Sequence, residues 1–249
     1  CDKIIAFEEF IVGGFSVSPT IEMRLGLQQG EGINFGYGAI DDPADKTRTS
    51  ASISLEPTVA YEKNLGGGTF YGSASVVGAT NIFDGEISGQ WAKSGDSRVD
   101  IDVFNFGWRN QTLDFSLGPQ KFVVGDGLVL GDGNFDIGSG QGQFWVAPFD
   151  AWKNSVVLRF HHKTIDTELF WLRSDGGWGD ARLGGVNVHS SDTEFGRYGA
   201  MYINIYRGNL MSYDGVQAWN LRALDVPVFF SKNLRLFAEV VYQVGQDTD

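Results

Sequence analysis

Phe15-Ser16-Val17-Ser18-Pro19-Thr20-Ile21-Glu22-Met23-Arg24-Leu25-Gly26-Leu27-Gln28 is the stretch that decides the fold of this 249-residue chain. Its odd positions are apolar apart from Pro19, and its even positions are polar or Gly. Side chains along a strand alternate between its faces, so a period of two over 14 residues predicts one strand with an apolar and a polar face. Soluble strands run to about five or six residues. A strand crossing a membrane at a tilt needs about 9–11, plus overhang.

The pattern recurs. Ala51, Ile53, Leu55, Val59 and Tyr61 share one face, against Ser52, Ser54, Glu56, Thr58 and Glu62 on the other. Gly66-Gly67-Gly68 then turns the chain into Thr69–Thr80 as a hairpin. Further strands are predicted at Arg98–Arg109, Thr112–Val124, Ser155–His161, Asp166–Arg173, Glu194–Arg207, Val216–Leu224 and Leu234–Gln243, ten in all. Tight turns such as Asn110-Gln111 and Thr164-Ile165 alternate with the long loops Gly32–Ser50, Asn81–Ser97, Gly125–Asn154 and Ser174–Thr193. Turns at one end and loops at the other are the layout of an outer-membrane barrel. The fold class expected is therefore all-β, an antiparallel transmembrane β-barrel, with a helical turn at Glu86–Ser94 in one loop.

Composition agrees. A hydrophobic content of 42% excludes wholesale disorder, and 14% aromatics with only 6 Pro suit strands better than helices. The 31 acids against 19 Lys and Arg form no basic cluster, which argues against nucleic acid as a partner. The lone Cys1 allows neither an internal disulfide nor a CxxC metal site; it marks a processing boundary or a lipid-acylation site. No apolar run is long enough for a transmembrane helix.

With the apolar phase in lipid, the other phase lines a lumen: Glu22, Arg24, Glu56, Glu62, Asp100, Asp102, Asp114, Arg159, His161, Asn220, Arg222, Arg235 and Glu239. Tyr198, Tyr202, Asn204 and Tyr206 are assigned to the same side, opposite Met201, Ile203 and Ile205. The competing account of each residue is a structural ion pair inside a filled barrel, or the solvent face of a sandwich.

The segment Ser116-Leu117-Gly118-Pro119-Gln120-Lys121-Phe122-Val123-Val124-Gly125-Asp126-Gly127, followed by Leu130-Gly131-Asp132-Gly133-Asn134-Phe135-Asp136, resembles the alginate-export family of outer-membrane β-barrels. Ala151–Ser155, Glu168–Leu172 and Trp219–Ala223 look like the family's later hairpins, and the resemblance covers Val99 to Gln243. It implies a monomeric barrel through which an anionic polysaccharide or other polar solutes diffuse. Pro119 stands where the family has Arg. The predicted lumen also holds seven acids (Glu62 included) against four Arg, and a like-charged wall repels a polyanion. A general polar solute is favoured on that ground. Family barrels have more than ten strands, and the chain ends on Gln246-Asp247-Thr248-Asp249 rather than on an aromatic, so residues 1–249 are expected to be one domain, the N-terminal part of a larger barrel.

Asp126, Asp132 and Asp136 lie among glycines. They read as tight turns, as a calcium loop, or as a constriction loop folded into the lumen. His161 and His162 point to opposite faces of a strand and cannot share a metal, and no Gly-x-Ser-x-Gly elbow is present. Asp100 and Asp102 share a face near the spacing of a glycosidase pair, without a visible partner arrangement. The expectation is a non-enzyme with no catalytic residue, metal or cofactor. Trp108, Trp171 and Trp219 suit an interfacial girdle, while Trp145, Trp152 and Trp178 could equally form a sugar platform. The expected function is a Gram-negative outer-membrane porin-like channel whose partners are membrane lipid and a polar or saccharide solute. The alternatives are a soluble carbohydrate-binding β-sandwich and a barrel that anchors another outer-membrane protein.

Overall fold

The computed structural model describes residues 2–31, 47–83, 95–131, 133, 149–174, 180–191, 193–208, 214–228 and 231–245. The helical turn expected at 86–94 lies outside them. Among the described residues thirteen strands succeed one another: β1 Asp2–Ala6, β2 Phe10–Val12, β3 Phe15–Glu31, β4 Thr47–Asn64, β5 Thr69–Asn81, β6 Ser97–Arg109, β7 Leu113–Leu117, β8 Asn154–His162, β9 Ile165–Arg173, β10 Arg182–Ser190, β11 Arg197–Arg207, β12 Gln217–Val228 and β13 Ser231–Val244. They form a single antiparallel sheet in chain order, with β1 and β2 both pairing with β3. The fold is all-β and barrel-like. It is not closed, since among the described residues β1 and β13 do not pair.

Three strands exceed the ten expected. β1 and β2 are short pieces laid beside β3, and β10 occupies a stretch whose sequence reads as loop. β7 is shorter than its periodicity suggests: Gly118, at φ +104°, and Pro119 turn the chain out of the sheet after Leu117. Gly118 is a position that only Gly fills, because a Cβ would stand 2.3 Å from the Phe104 carbonyl oxygen.

The segment between β7 and β8 gives the sheet its curvature. Lys121 Nζ lies 3.4 Å from Glu56 Oε2 on β4, and four residues later a Cβ on Gly125 would stand 3.1 Å from Arg222 Cδ on β12. Strands are spaced by about 4.8 Å, which puts β4 and β12 roughly 38 Å apart in a flat sheet. Four residues and the side chains involved reach only about 30 Å. The sheet therefore curls around this segment, with a concave inner face and a convex outer one.

The burial is inside out. On β6 Val99 and Ile101 are 74% and 58% exposed, whereas the flanking Arg98 and Asp102 are 8% and 6% exposed. On β12 Leu221 is 64% exposed, between Asn220 and Arg222 at 1% and 7%. The apolar phase is the convex one. The inner face is most apolar under β8–β12, where Phe122, Val124, Leu130 and Trp152 from the segment after β7 pack on Val157, Phe170, Leu172, Leu183, Met201, Ile203 and Ala218, and a smaller apolar cluster joins Val77 and Ala79 of β5 to Phe149.

Candidate functional site: the inner wall

Cross-strand partners share a face, so the register assigns each side chain to a wall. Glu22 opposes Glu56, Asp114 opposes Arg159, and Arg222 opposes Glu239. All six stand inside with Arg24, Asp100 and Asp102. Arg235 follows the same phase at the edge strand β13, where it pairs with Asp225 at 3.8 Å. Arg24 donates to Glu22 at 2.6 Å.

Tyr202 requires correction. It opposes Trp219, which opposes Tyr242, and the three rings pack at a tilt with centroids 5.3 and 5.8 Å apart on the outer face. Tyr198 and Asn204 share that phase, and Tyr206 accepts from Trp171 Nε1 there. The inner phase of β11 is Met201, Ile203 and Ile205. Polarity misleads on this strand because its inward neighbours are Phe122 and Trp152 rather than water.

The inward side chains form one polar belt from β4 to β13, linked by hydrogen bonds, a cation–π contact and an ion pair. Arg109 donates to Glu62 at 2.5 Å, and its guanidinium lies 5.0 Å from the Tyr71 ring centroid. The Tyr71 hydroxyl donates to Asp114, which also faces Arg159 at 3.8 Å. Arg159 donates to Glu168 at 2.9 Å, and Glu168 accepts from Asn187 at 2.7 Å. Arg222 bridges Asn187 and Asn220, and Asn220 donates to Glu239 at 2.5 Å. Glu168 and Asn187 are members that periodicity does not pick out, whereas Tyr71 lies on the polar phase of its strand with Ser73 and Ser75. Glu168 had a signal, because the Lys163-Thr164 turn sets a register that places it opposite Arg159.

Beside the belt, Lys121 lies 3.4 Å from Glu56, 3.7 Å from Asp102 and 3.6 Å from Asp150. Burial pulls its ammonium down, but Glu56, Asp150 and Asp102 outweigh that and hold it above the ordinary lysine range. Asp102 also accepts from the Ala151 amide at 3.0 Å, so both limbs of the inward segment are fastened to one patch of wall. Between segment and wall lies a cavity of about 510 Å³, lined by Glu22, Glu56, Tyr71, Asn105, Arg109 and Arg159 among others. Four carboxylates of its lining (Glu22, Glu56, Glu62 and Asp114) face Arg109, Arg159 and Lys121, so it offers donors and acceptors with a slight acidic excess.

Asp126 sits at an exposed turn between Gly125 and Gly127, both with positive φ, and the Gly127 amide donates to the Val124 carbonyl. Asp132 and Asp136 lie outside the described residues, as do Trp145 and Trp178. Trp152 is fully buried and donates to the Phe122 carbonyl at 2.9 Å, which leaves no indole face for a sugar. Among the described residues no cluster of three His, Cys, Asp or Glu is placed to hold a metal. No helix among them is long and apolar enough to cross a membrane, which does not bear on strands.

No protein-family model matches the chain, and no curated protein matches it.

Proposed function

We propose that the chain forms the wall of a bacterial outer-membrane β-barrel, of the porin-like or alginate-export kind, through which polar solutes cross by diffusion. The observation that carries this is the inverted burial. Long strands turn Val99, Ile101, Phe104, Phe106, Leu221 and Val240 outward while Arg98, Asp102, Asn220 and Arg222 are inside. A lipid-facing wall accounts for an apolar outside that water would penalise. Aromatic side chains near the strand ends, Phe15, Phe70 and Trp108 at the turn end and Trp171, Trp219 and Tyr242 at the loop end, suit two interfacial girdles.

Solutes would be selected by width and by the paired belt. Neutral or zwitterionic solutes such as saccharides fit such a wall better than a polyanion, because no unbalanced positive field draws one in. The reading requires the free edges of β1 and β13 to be closed, by each other or by further strands, since lipid leaves no partner for an open edge.

The test is extraction and conductance. Expressed with a signal peptide, the chain is expected to require detergent, to migrate differently before and after heating, and to conduct in a planar bilayer. Solubility without detergent contradicts the membrane reading. Detergent dependence without conductance favours the anchor role, which the segment packed across the inner face already supports.

A further inference from the structure

On the outer face, at the loop end, three arginines stand side by side. Arg173 of β9 opposes Arg182 of β10, and Arg182 opposes Arg207 of β11 across the bulge between Arg182 and Leu183. Like charges directly opposite one another destabilise a sheet, so the arrangement needs an anion. Among the described residues one carboxylate pairs with the first two and feels the field of the third. Asp180 accepts from Arg173 Nε at 2.5 Å and lies 3.6 Å from Arg182. The Arg173 hydrogen bond foremost, with the fields of Arg173, Arg182 and Arg207, holds the Asp180 carboxyl below the usual range. Among the described residues, three positive charges around one negative leave an excess of two. Arg182 Nε is buried with no hydrogen-bond partner. Below the cluster, towards the middle of the sheet, Trp171 donates to the Tyr206 hydroxyl, so an aromatic pair lies beneath the cations.

We propose that this rim binds the phosphate groups of a phosphorylated glycolipid in the outer leaflet, with the guanidinium groups on the phosphate and the Trp171–Tyr206 pair beside the proximal sugar and acyl chains. The inference rests on the membrane reading, because the long-loop end is then the outward-facing one. Guanidinium groups pair with phosphate oxygens in two-point contacts, and a basic cluster at membrane level is the ordinary recognition element for an anionic headgroup.

The full chain, folded in detergent and transferred to phosphatidylcholine nanodiscs, would be titrated with diphosphoryl lipid A, its dephosphorylated form and inorganic phosphate. Saturable binding of the diphosphoryl lipid is expected, with no binding of the dephosphorylated one. Arg182→Gln and Arg207→Gln should each weaken it about tenfold, the loss expected for one charge-assisted contact. Asp180→Asn should tighten it several-fold, which a merely structural role for Asp180 would not do. Equal binding of both lipids, indifference to both arginine substitutions, or saturation by inorganic phosphate at the same concentration would overturn the proposal. Heat-modifiable migration is read on every variant. Its presence with no lipid binding sinks this inference alone, whereas its loss in the unmodified chain sinks the membrane reading.

Discussion

The inner face of β3–β7 and the inner face of β8–β12 belong to one sheet with one outward phase, yet their chemistry differs. The first presents Glu22, Glu56, Glu62, Asn105 and Arg109 to a cavity. The second presents Val157, Phe170, Leu172, Met201 and Ile203 to the apolar side of the segment between β7 and β8. The inward chemistry of a strand is thus set by its neighbour there. Polar and charged groups face the cavity, and Phe122 and Trp152 meet mainly hydrocarbon, with the Arg159 guanidinium of the belt 5.6 Å from the Phe122 ring centroid.

Trp152→Ala strikes the apolar half hardest. It removes a fully buried indole and its hydrogen bond to Phe122, at an expected cost of about 3–5 kcal/mol. Denaturant unfolding in micelles measures it, and a cost below about 1 kcal/mol would mean the segment is not packed there. Leu221→Arg tests the shared outer phase and should cost about 2–4 kcal/mol in a bilayer. In water an exposed Leu→Arg change is close to neutral, so the same variant separates the two environments.

The seam between the halves is Lys121. Lys121→Met leaves Glu56 and Asp102 buried without their cation, a loss of about 2–3 kcal/mol, below the usual range for a buried pair because Lys121 is 38% exposed. The pH dependence follows from its raised pKa. The fastening is fully present below the ordinary lysine value and is lost as pH rises through the still higher folded value. Quenching of the Trp fluorescence by acrylamide should therefore stay flat through neutral pH and rise only in strong alkali, a rise that Lys121→Met abolishes. The smallest effect belongs to the charged half. Arg109→Gln breaks a half-exposed pair with Glu62 and should cost less than about 1 kcal/mol by the same unfolding measurement.

The difference between the halves also explains how much of the fold is legible in the sequence. Where the inner face meets the cavity, alternation locates β3–β6 to within a few residues and names Glu22, Glu56, Asp100 and Asp102 on the inward phase. Under the apolar segment the same rule inverts β11, because Met201 and Ile203 look lipid-facing and Tyr202 looks lumenal until the packing of Phe122 is known. β10 escapes notice for a related reason. Gly184 and Gly185 resemble loop, but a Cβ at Gly185 would stand 2.5 Å from the Phe170 ring, so the glycine is there to admit the ring. The strand expected at Thr112–Val124 overruns the end of β7, because Gly118-Pro119 is a breaker that outweighs the alternation continuing beyond it. The belt partners Asn187 and Glu168 depend on register across two hairpins, which single-strand periodicity does not encode.

The most direct test places nitroxide labels one at a time at positions 219–223 of the chain reconstituted in lipid, after Cys1 is replaced by Ser. Accessibility to oxygen and to a water-soluble relaxant is then measured at each site. Residues 219, 221 and 223 should favour oxygen and residues 220 and 222 should not, alternating with a period of two. Equal access of the water-soluble relaxant at 221 and its neighbours would contradict a lipid-facing outer wall.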